Sequence, residues 1–285
     1  MQTGTHKKIA YLGPEGTYTH TVARQVGGSP AELVPCASIP LVFRRVSHGE
    51  VELGVVPVEN TIEGSVAITL DSFAREPECR IVGERMLRIE HGLHAHPDTA
   101  GLSALRRIYS HPQALAQCRD WLTRETPAAE IIPSASTAEA ARWASAEVGT
   151  AAIGGPELAQ RYGLKTVATG IQDAPYNVTR FLLLAREGLP PSGNDRTALM
   201  VELNHRPGAL YEGLSYFAGA GVNLTHIESR PIPERPFEYR FFLMLDGHAE
   251  DAAVVRALSE LRAEHPRIAI LGSWPRGEMP RPDQG

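Results

Sequence analysis

The stretch Asn177-Val178-Thr179-Arg180-Phe181 puts an amide, a hydroxyl and a guanidinium within five residues and opens directly onto the apolar run Leu182-Leu183-Leu184-Ala185. A guanidinium grips a carboxylate in a two-pronged, charge-assisted contact. The apolar run reads as a buried strand in a sheet covered on both faces. Polar side chains at the end of such a strand point into the crevice where open α/β sheets bind ligands. The other reading is a strand whose Thr and Arg cap an edge. A second polar cluster, Pro57-Val58-Glu59-Asn60-Thr61, ends the strand Glu52–Val56, and a third, Ser110-His111-Pro112-Gln113, follows the strand Arg107–Tyr109.

Strands and helices alternate through the first part of the chain, and this predicts a parallel sheet with crossover units. Lys8–Gly13 reads as the first strand, and Gly13-Pro14-Glu15-Gly16-Thr17 turns into a helix from Tyr18 to Val26. Glycines there allow close backbone approach to a ligand, as they would in an ordinary βα turn. Helices follow at 39–49, 66–74, 114–124, 137–147 and 156–162, with extended segments across 81–96 and at 131–132 and 150–153. His91, His94 and His96 lack a Cys or Glu at ligand spacing, and His91 falls on the other face of a strand, so no metal site is read there.

Residues 187–196, rich in Gly, Pro, Ser, Asn and Asp, mark a linker. Beyond it the order is strand 197–203, helix 208–219, strands 223–232 and 238–245, helix 250–264 and strand 267–271, a ferredoxin-like βαββαβ unit. Val255, Leu258 and Leu261 supply the buried stripe of its second helix. Trp274 and residues 275–285 read as a loose tail.

Composition narrows the function. With 42% hydrophobic and 21% charged residues over 285, the chain suits a soluble globular protein of two or three domains. A net charge of −5 gives a nucleic-acid partner no electrostatic footprint. No run approaches a membrane span, and Met1–Lys8 lacks the apolar stretch of an export signal. Three cysteines without metal-ligand spacing suit a reducing compartment, so a cytoplasmic location is expected.

Several motifs in register resemble the prephenate dehydratase family: Tyr11-Leu12-Gly13-Pro14-Glu15-Gly16-Thr17, Pro57-Val58-Glu59-Asn60-Thr61, Ser110-His111-Pro112-Gln113-Ala114-Leu115, Tyr162-Gly163-Leu164 and Asn177–Phe181. The C-terminal part resembles an ACT domain in Pro207-Gly208-Ala209-Leu210 and in the run from Asn223 to Pro231. Thr61 stands where the family usually has Ser, and Tyr211 where an aliphatic residue is commoner. The resemblance implies an α/β fold: a bilobal catalytic domain like type II periplasmic binding proteins over residues 7–186, then an ACT domain over 197–274 and a tail at 275–285. It implies an oligomer, dimer or tetramer, paired through ACT domains.

The implied reaction expels carbon dioxide and a ring hydroxyl from prephenate, needs no cofactor and no metal, and yields phenylpyruvate for phenylalanine synthesis. The family pattern makes Thr179 the essential residue, placed to hydrogen-bond the departing hydroxyl. Arg180 is expected to grip a substrate carboxylate. Phe181, Asn60, Thr61, Ser110, Gln113 and Asn177 complete the substrate site, and His111 and Glu59 are the titratable groups expected to feed a proton relay. The other reading of His111, and the one preferred from its neighbours, is a turn residue packing beside Pro112. For the ACT part, phenylalanine is the expected effector, held by Gly208, Ala209, Leu210, Asn223, Leu224, Glu228, Ser229 and Arg230. Rival readings are an arogenate-preferring relative, one that decarboxylates prephenate without expelling the hydroxyl, and a non-catalytic amino-acid sensor.

Overall fold

The computed structural model describes residues 7–28, 30–265 and 267–280; the last residues of the expected tail, 281–285, lie outside that range. The first lobe runs β1 (Lys7–Leu12), α1 (Tyr18–Gly27), β2 (Ala31–Cys36), α2 (Ile39–Ser47), β3 (Leu53–Asn60), β4 (Gly64–Ser65), α3 (Ala67–Arg75) and β5 (Arg80–Arg88). The chain then crosses to a second lobe. There it forms β6 (Gly92–Ala95), β7 (Arg107–Ser110), α4 (Pro112–Gln117), α5 (Arg119–Glu125) and β8 (Glu130–Pro133). The lobe closes with α6 (Thr137–Ala144), β9 (Thr150–Gly154), α7 (Glu157–Tyr162) and β10 (Lys165–Ala168). The chain returns through β11 (Val178–Ala185), which inserts in the first sheet: the order is β2-β1-β3-β11-β5, against β10-β6-β9-β7-β8 in the second lobe. Two crossings therefore join the lobes.

Because β11 re-enters after the second lobe, it runs antiparallel to both β3 and β5, and β6 is antiparallel to β9 and β10. The expected all-parallel arrangement holds only among β1, β2 and β3 and among β7, β8 and β9. The helix expected over 114–124 is interrupted at Cys118, which separates α4 from α5. Strands β2 and β10 escaped the sequence reading because each mixes polar residues into a short run.

The apolar run of β11 is covered on both faces, as its composition requires. Phe181 and Leu183 pack with Ile9, Tyr11, Val22 and Val55 on the α1 side. Leu182 and Leu184 pack with Val42, Phe43 and Leu70 on the α2–α3 side.

The C-terminal unit comprises β12 (Asp195–Glu202), α8 (Ala209–Gly219), β13 (Leu224–Ile232), β14 (Arg235–Asp246), α9 (Ala252–Glu264) and β15 (Arg267–Pro275). Its antiparallel sheet, ordered β13-β14-β12-β15, is the ferredoxin-like arrangement. Both helices cover one face, around Leu199, Phe217, Leu243, Leu258 and Leu261. Val254 takes the buried place expected of Val255, which is exposed.

The other face of this sheet is not free. Ala198, Phe242, Met244, Leu271 and Trp274 join the same core as Phe43, Leu70, Phe73 and Leu182 of the first lobe. Gly272 lets β15 lie on the backbone of β5, where any Cβ would overlap Ile81. Two expectations are corrected by this docking. Asp195 and Arg196, assigned to the linker, are buried at the start of β12, and Trp274, assigned to the tail, is fully buried.

Candidate active site

Alternation along β11 sends Thr179 and Arg180 to opposite faces. Thr179 faces the α1 side with Phe181 and lies at the junction with the second lobe. There Asn60, at the end of β3, pairs with it across the ladder. Asn60 Nδ2 donates to Thr179 Oγ1 at 2.9 Å and to Asn177 Oδ1 at 2.7 Å. Asn60 Oδ1 accepts the backbone N–H groups of Ile62 and Glu63 at 2.9 and 3.1 Å, which fixes the amide's orientation. Among the described residues no protein acceptor takes the Thr179 hydroxyl proton.

The chain of contacts continues into the second lobe. Asn177 Nδ2 donates to Gln117 Oε1 at 2.9 Å, and His91 Nε2 lies 2.9 Å from the same oxygen. Gln117 Nε2 donates to Glu63 Oε1 at 3.3 Å. Since Gln117 Oε1 accepts, His91 carries its proton on Nε2; its Nδ1 lies 3.2 Å from the Tyr18 hydroxyl, whose own proton goes to the Glu90 carbonyl at 2.7 Å. Burial lowers the His91 pKa below its ordinary value, against the pull of Gln117, so the ring is neutral near pH 7. Burial also raises the Tyr18 pKa well above the usual phenol range. The result is a line of neutral donors and acceptors, Thr179–Asn60–Asn177–Gln117–His91, stitched across both lobes.

Gln117, His91, Glu63 and Tyr18 were not identified from sequence. Gln117 had a readable signal: it interrupts the buried face that Ala114 and Cys118 define. His91 stood among the three histidines considered for metal. Each of those three has its own partner: His94 bonds Thr166 at 3.0 Å and the Gly154 carbonyl at 3.3 Å, and His96 lies by Asp98. Among the described residues no cluster of three His, Cys, Asp or Glu side chains could hold a metal.

Several expected site residues are placed elsewhere. Arg180 turns away from the cleft toward the C-terminal sheet, 3.2 Å from Glu59 Oε2 and 3.6 Å from Glu84 Oε2, with Nη1 3.5 Å from Met244 Sδ. It is committed to ion pairs with Glu59 and Glu84 on that face, where the sequence reading expected a carboxylate grip in the cleft. Glu59 shares that face, with His226 at 3.6 Å. The His226 ring, and after it Arg180, outweigh burial and hold the Glu59 carboxyl below its usual range. Glu59 thus lies on the Arg180 face of the ladder, and among the described residues no hydrogen bond links it to Thr179. Phe181 is a core residue, 2% exposed. The Ser110 hydroxyl is fully buried and donates to the Ile153 carbonyl at 2.7 Å.

Thr61 serves the backbone: its hydroxyl donates to the Tyr176 carbonyl and accepts the Val178 N–H, stapling β3 to the returning crossover. His111 is the N-cap of α4, accepting the Gln113 N–H on Nδ1 at 3.3 Å, and Gln113 is exposed in that first turn. The turn reading of His111 is the one its geometry fits.

The residues expected to hold an effector separate into two groups. Gly208, in the left-handed region at φ 80°, starts α8 beside Ala209 and Leu210. A 140 Å³ cavity lies there, lined by Arg206, Ala209, Leu210, Glu238 and Tyr239 among others. Asn223 donates to Asp246 at 2.9 Å, Leu224 packs partly into the helix-side core, and Ser229 is exposed. Glu228 and Arg230 instead face the first lobe: Glu228 accepts from Ser65 at 3.0 Å, and Arg230 bonds Asp71 at 2.9 and 3.1 Å. Those two side chains are contacts between units.

Comparison with known proteins agrees with this division. Residues 9–189 match the family model described as prephenate dehydratase, and residues 197–263 match the ACT domain. A bifunctional chorismate mutase/prephenate dehydratase of Aquifex aeolicus is 41% identical over 94% of this chain and 74% of its own length. A prephenate dehydratase of Mycolicibacterium vanbaalenii is 37% identical over 95% and 92%. The crystal structure of the prephenate dehydratase of Arthrobacter aurescens in complex with L-Phe superposes with a TM-score of 0.86 at 40% identity, covering 94% of this chain and 90% of that one. The hydroxyl-and-amide junction between two lobes, followed by a ferredoxin-like unit, thus belongs to a member of the prephenate dehydratase family, a hydro-lyase that carries an ACT domain.

Proposed function

We propose that prephenate is bound between the two lobes and that Thr179 donates its hydroxyl proton to the departing ring hydroxyl. Prephenate is a dianion. As the ring carboxylate leaves as CO2, its bonding electron pair enters the ring, and the C–OH bond breaks to restore aromaticity. Phenylpyruvate keeps one negative charge, so one proton is consumed in releasing hydroxide as water. A threonine hydroxyl is a poor free acid near neutral pH, so the proton is shared as water forms and replaced from solvent. Asn60 suits this step: its N–H already points at Thr179 Oγ1, where negative charge grows as the proton moves. The observation that carries the reading is the 2.9 Å Asn60–Thr179 hydrogen bond, which leaves the hydroxyl proton unspent.

The ACT domain supports a second part of the reading, feedback control by L-phenylalanine, since a relative of this fold has been determined in complex with L-Phe. The cavity at the start of α8 is the proposed place, with Ala209 and Leu210 in its wall and Gly208 the residue before them. Exposed Tyr211, Ile227 and Tyr239 on the same unit suit pairing of ACT domains in a homo-oligomer. The free, buried cysteines Cys36, Cys79 and Cys118 fit a cytoplasmic enzyme, and no helix among the described residues is long and apolar enough to cross a membrane.

The test is an ultraviolet assay for phenylpyruvate formed from prephenate, run beside arogenate and with and without millimolar phenylalanine. Conversion of prephenate with inhibition by phenylalanine is expected. Preference for arogenate would replace the substrate, and an inhibition curve flat to millimolar phenylalanine with no heat of binding would remove the effector.

A further inference from the structure

Between the ACT sheet and the first lobe lies a cluster of charges for which the proposed chemistry has no use. Glu84 on β5 is fully buried and receives both Nη1 contacts of Arg196 from β12, at 2.7 and 2.8 Å, plus the Gly277 N–H at 2.9 Å. Arg180 on β11 lies between Glu84 and Glu59. His226 on β13 closes the other side of Glu59. Two carboxylates and two guanidinium groups balance in charge. The cluster is nevertheless under-satisfied: Arg180 Nε, Arg196 Nε and His226 Nε2 are buried with no hydrogen-bond partner among the described residues.

Buried ion pairs of this kind contribute little net stability, because desolvation offsets their attraction. Their placement is more informative. Arg180 pairs with Glu59 across the β11–β3 ladder, and the next pair along is Thr179 with Asn60. Immediately behind the charged pair the register shifts, since β3 carries one extra residue, Val58, between Glu59 and Pro57. A bulge re-aims side chains, bends the strand and disrupts the ladder locally. Where backbone hydrogen bonding is interrupted, side-chain anchors set the tilt of the strand. The ACT strand β13 reaches the first lobe with every second residue: His226 to Glu59 on β3, beside the bulge, Glu228 to Ser65 on β4 and Arg230 to Asp71 on α3.

We propose that the ACT sheet completes the catalytic geometry: His226 and Arg196, acting through Glu59, Glu84 and Arg180, are positioning residues that hold the Asn60–Thr179 pair in place. This rests on the reading of Asn60 and Thr179 as the groups at the departing hydroxyl. Arg180 acts from the far side of the strand, through the backbone it shares with Thr179. A lysine at 180 keeps the charge but cannot span Glu59 and Glu84 together.

The experiment compares full-length wild type with Arg180→Lys, His226→Ala, the double variant and Thr179→Ala in steady-state kinetics on prephenate, with melting curves to confirm folding. A misplacement of reacting groups by about an ångström costs up to about a hundredfold. Arg180→Lys and His226→Ala are therefore expected to lose roughly ten- to a hundredfold in kcat with KM within about twofold. The double variant is expected to lose less than the product of the single losses, because both act on one pair. A rise in KM at unchanged kcat in Arg180→Lys would return Arg180 to substrate binding and overturn the proposal. So would wild-type kcat in both folded single variants while Thr179→Ala is inactive. If Thr179→Ala kept its turnover while the cluster variants lost theirs, the role of Thr179 would fall, and positioning of this ladder by the ACT sheet would stand.

Discussion

Asn60 Nδ2 stands 2.9 Å from Thr179 Oγ1 and donates to it, so the hydroxyl accepts from the protein, and no acceptor among the described residues takes its own proton. Adding the second amide contact, 2.7 Å to Asn177 Oδ1, both hydrogens of Asn60 Nδ2 are engaged and its orientation has no slack. General-acid assistance is worth about 10²–10⁴-fold. Thr179→Ala is expected to lose kcat in that range with KM within about twofold, and Thr179→Ser to recover part of it. Steady-state assays on prephenate decide this, and near-wild-type turnover in Thr179→Ala would remove the residue from the mechanism.

Gln117 is the joint of the line across the lobes, contacting His91, Asn177 and Glu63. Gln117→Leu would leave the His91 and Asn177 donors buried and unpartnered. Each such group costs about 1–3 kcal/mol. A lower melting temperature together with reduced kcat is expected, measured by thermal denaturation and by turnover at a temperature where the variant is folded. Equal stability to wild type would mean the contact is replaceable by water.

Three buried histidines give the stability a pH dependence of known sign. Burial lowers the pKa of His91, His94 and His20 from 6.5. The unfolded chain therefore binds more protons than the folded one between the lowered values and 6.5. Their stabilisation is full above about pH 6.5 and is lost as pH falls through that window. Melting temperature is expected to decline from pH 7.5 to 5.5, and His91→Gln to flatten the decline. A profile unchanged by that substitution would rule His91 out as a contributor.

Trp274 is fully buried in the core that the ACT sheet shares with the first lobe. Trp274→Ala should cost about 3–5 kcal/mol. Because the core is shared, the loss is expected to weaken docking of the ACT unit as well as lower the melting temperature. Calorimetry would show one transition in wild type and a broadened or split one in the variant. An unchanged melt would contradict the shared core.

Much of this was legible in residue order alone. The apolar run of β11 announced a strand covered on both faces, the Gly- and Pro-rich segment before Asp195 announced a boundary, and the βαββαβ rhythm beyond it announced the ACT unit. These features follow from local periodicity and turn chemistry, which act between residues close in the chain. Asn60, Asn177 and Thr179 could be grouped because each is polar beside a buried strand.

Tertiary structure decided what each group faces. Thr179 and Arg180 are neighbours in sequence, yet the pleat turns one to the cleft and the other to the ACT sheet. Whether that second face met ligand, solvent or another domain depended on a unit folded from residues beyond the linker, and no local pattern records it. The same holds for Gln117 and His91, brought to Asn177 only when the chain crosses twice between lobes. The docking face of the ACT sheet likewise drew Trp274 out of an expected tail into a core. Sequence determined which elements form and where the chemistry is concentrated. Packing between elements distant in the chain decided which side chains meet at the junction of the lobes and which pair with the ACT sheet.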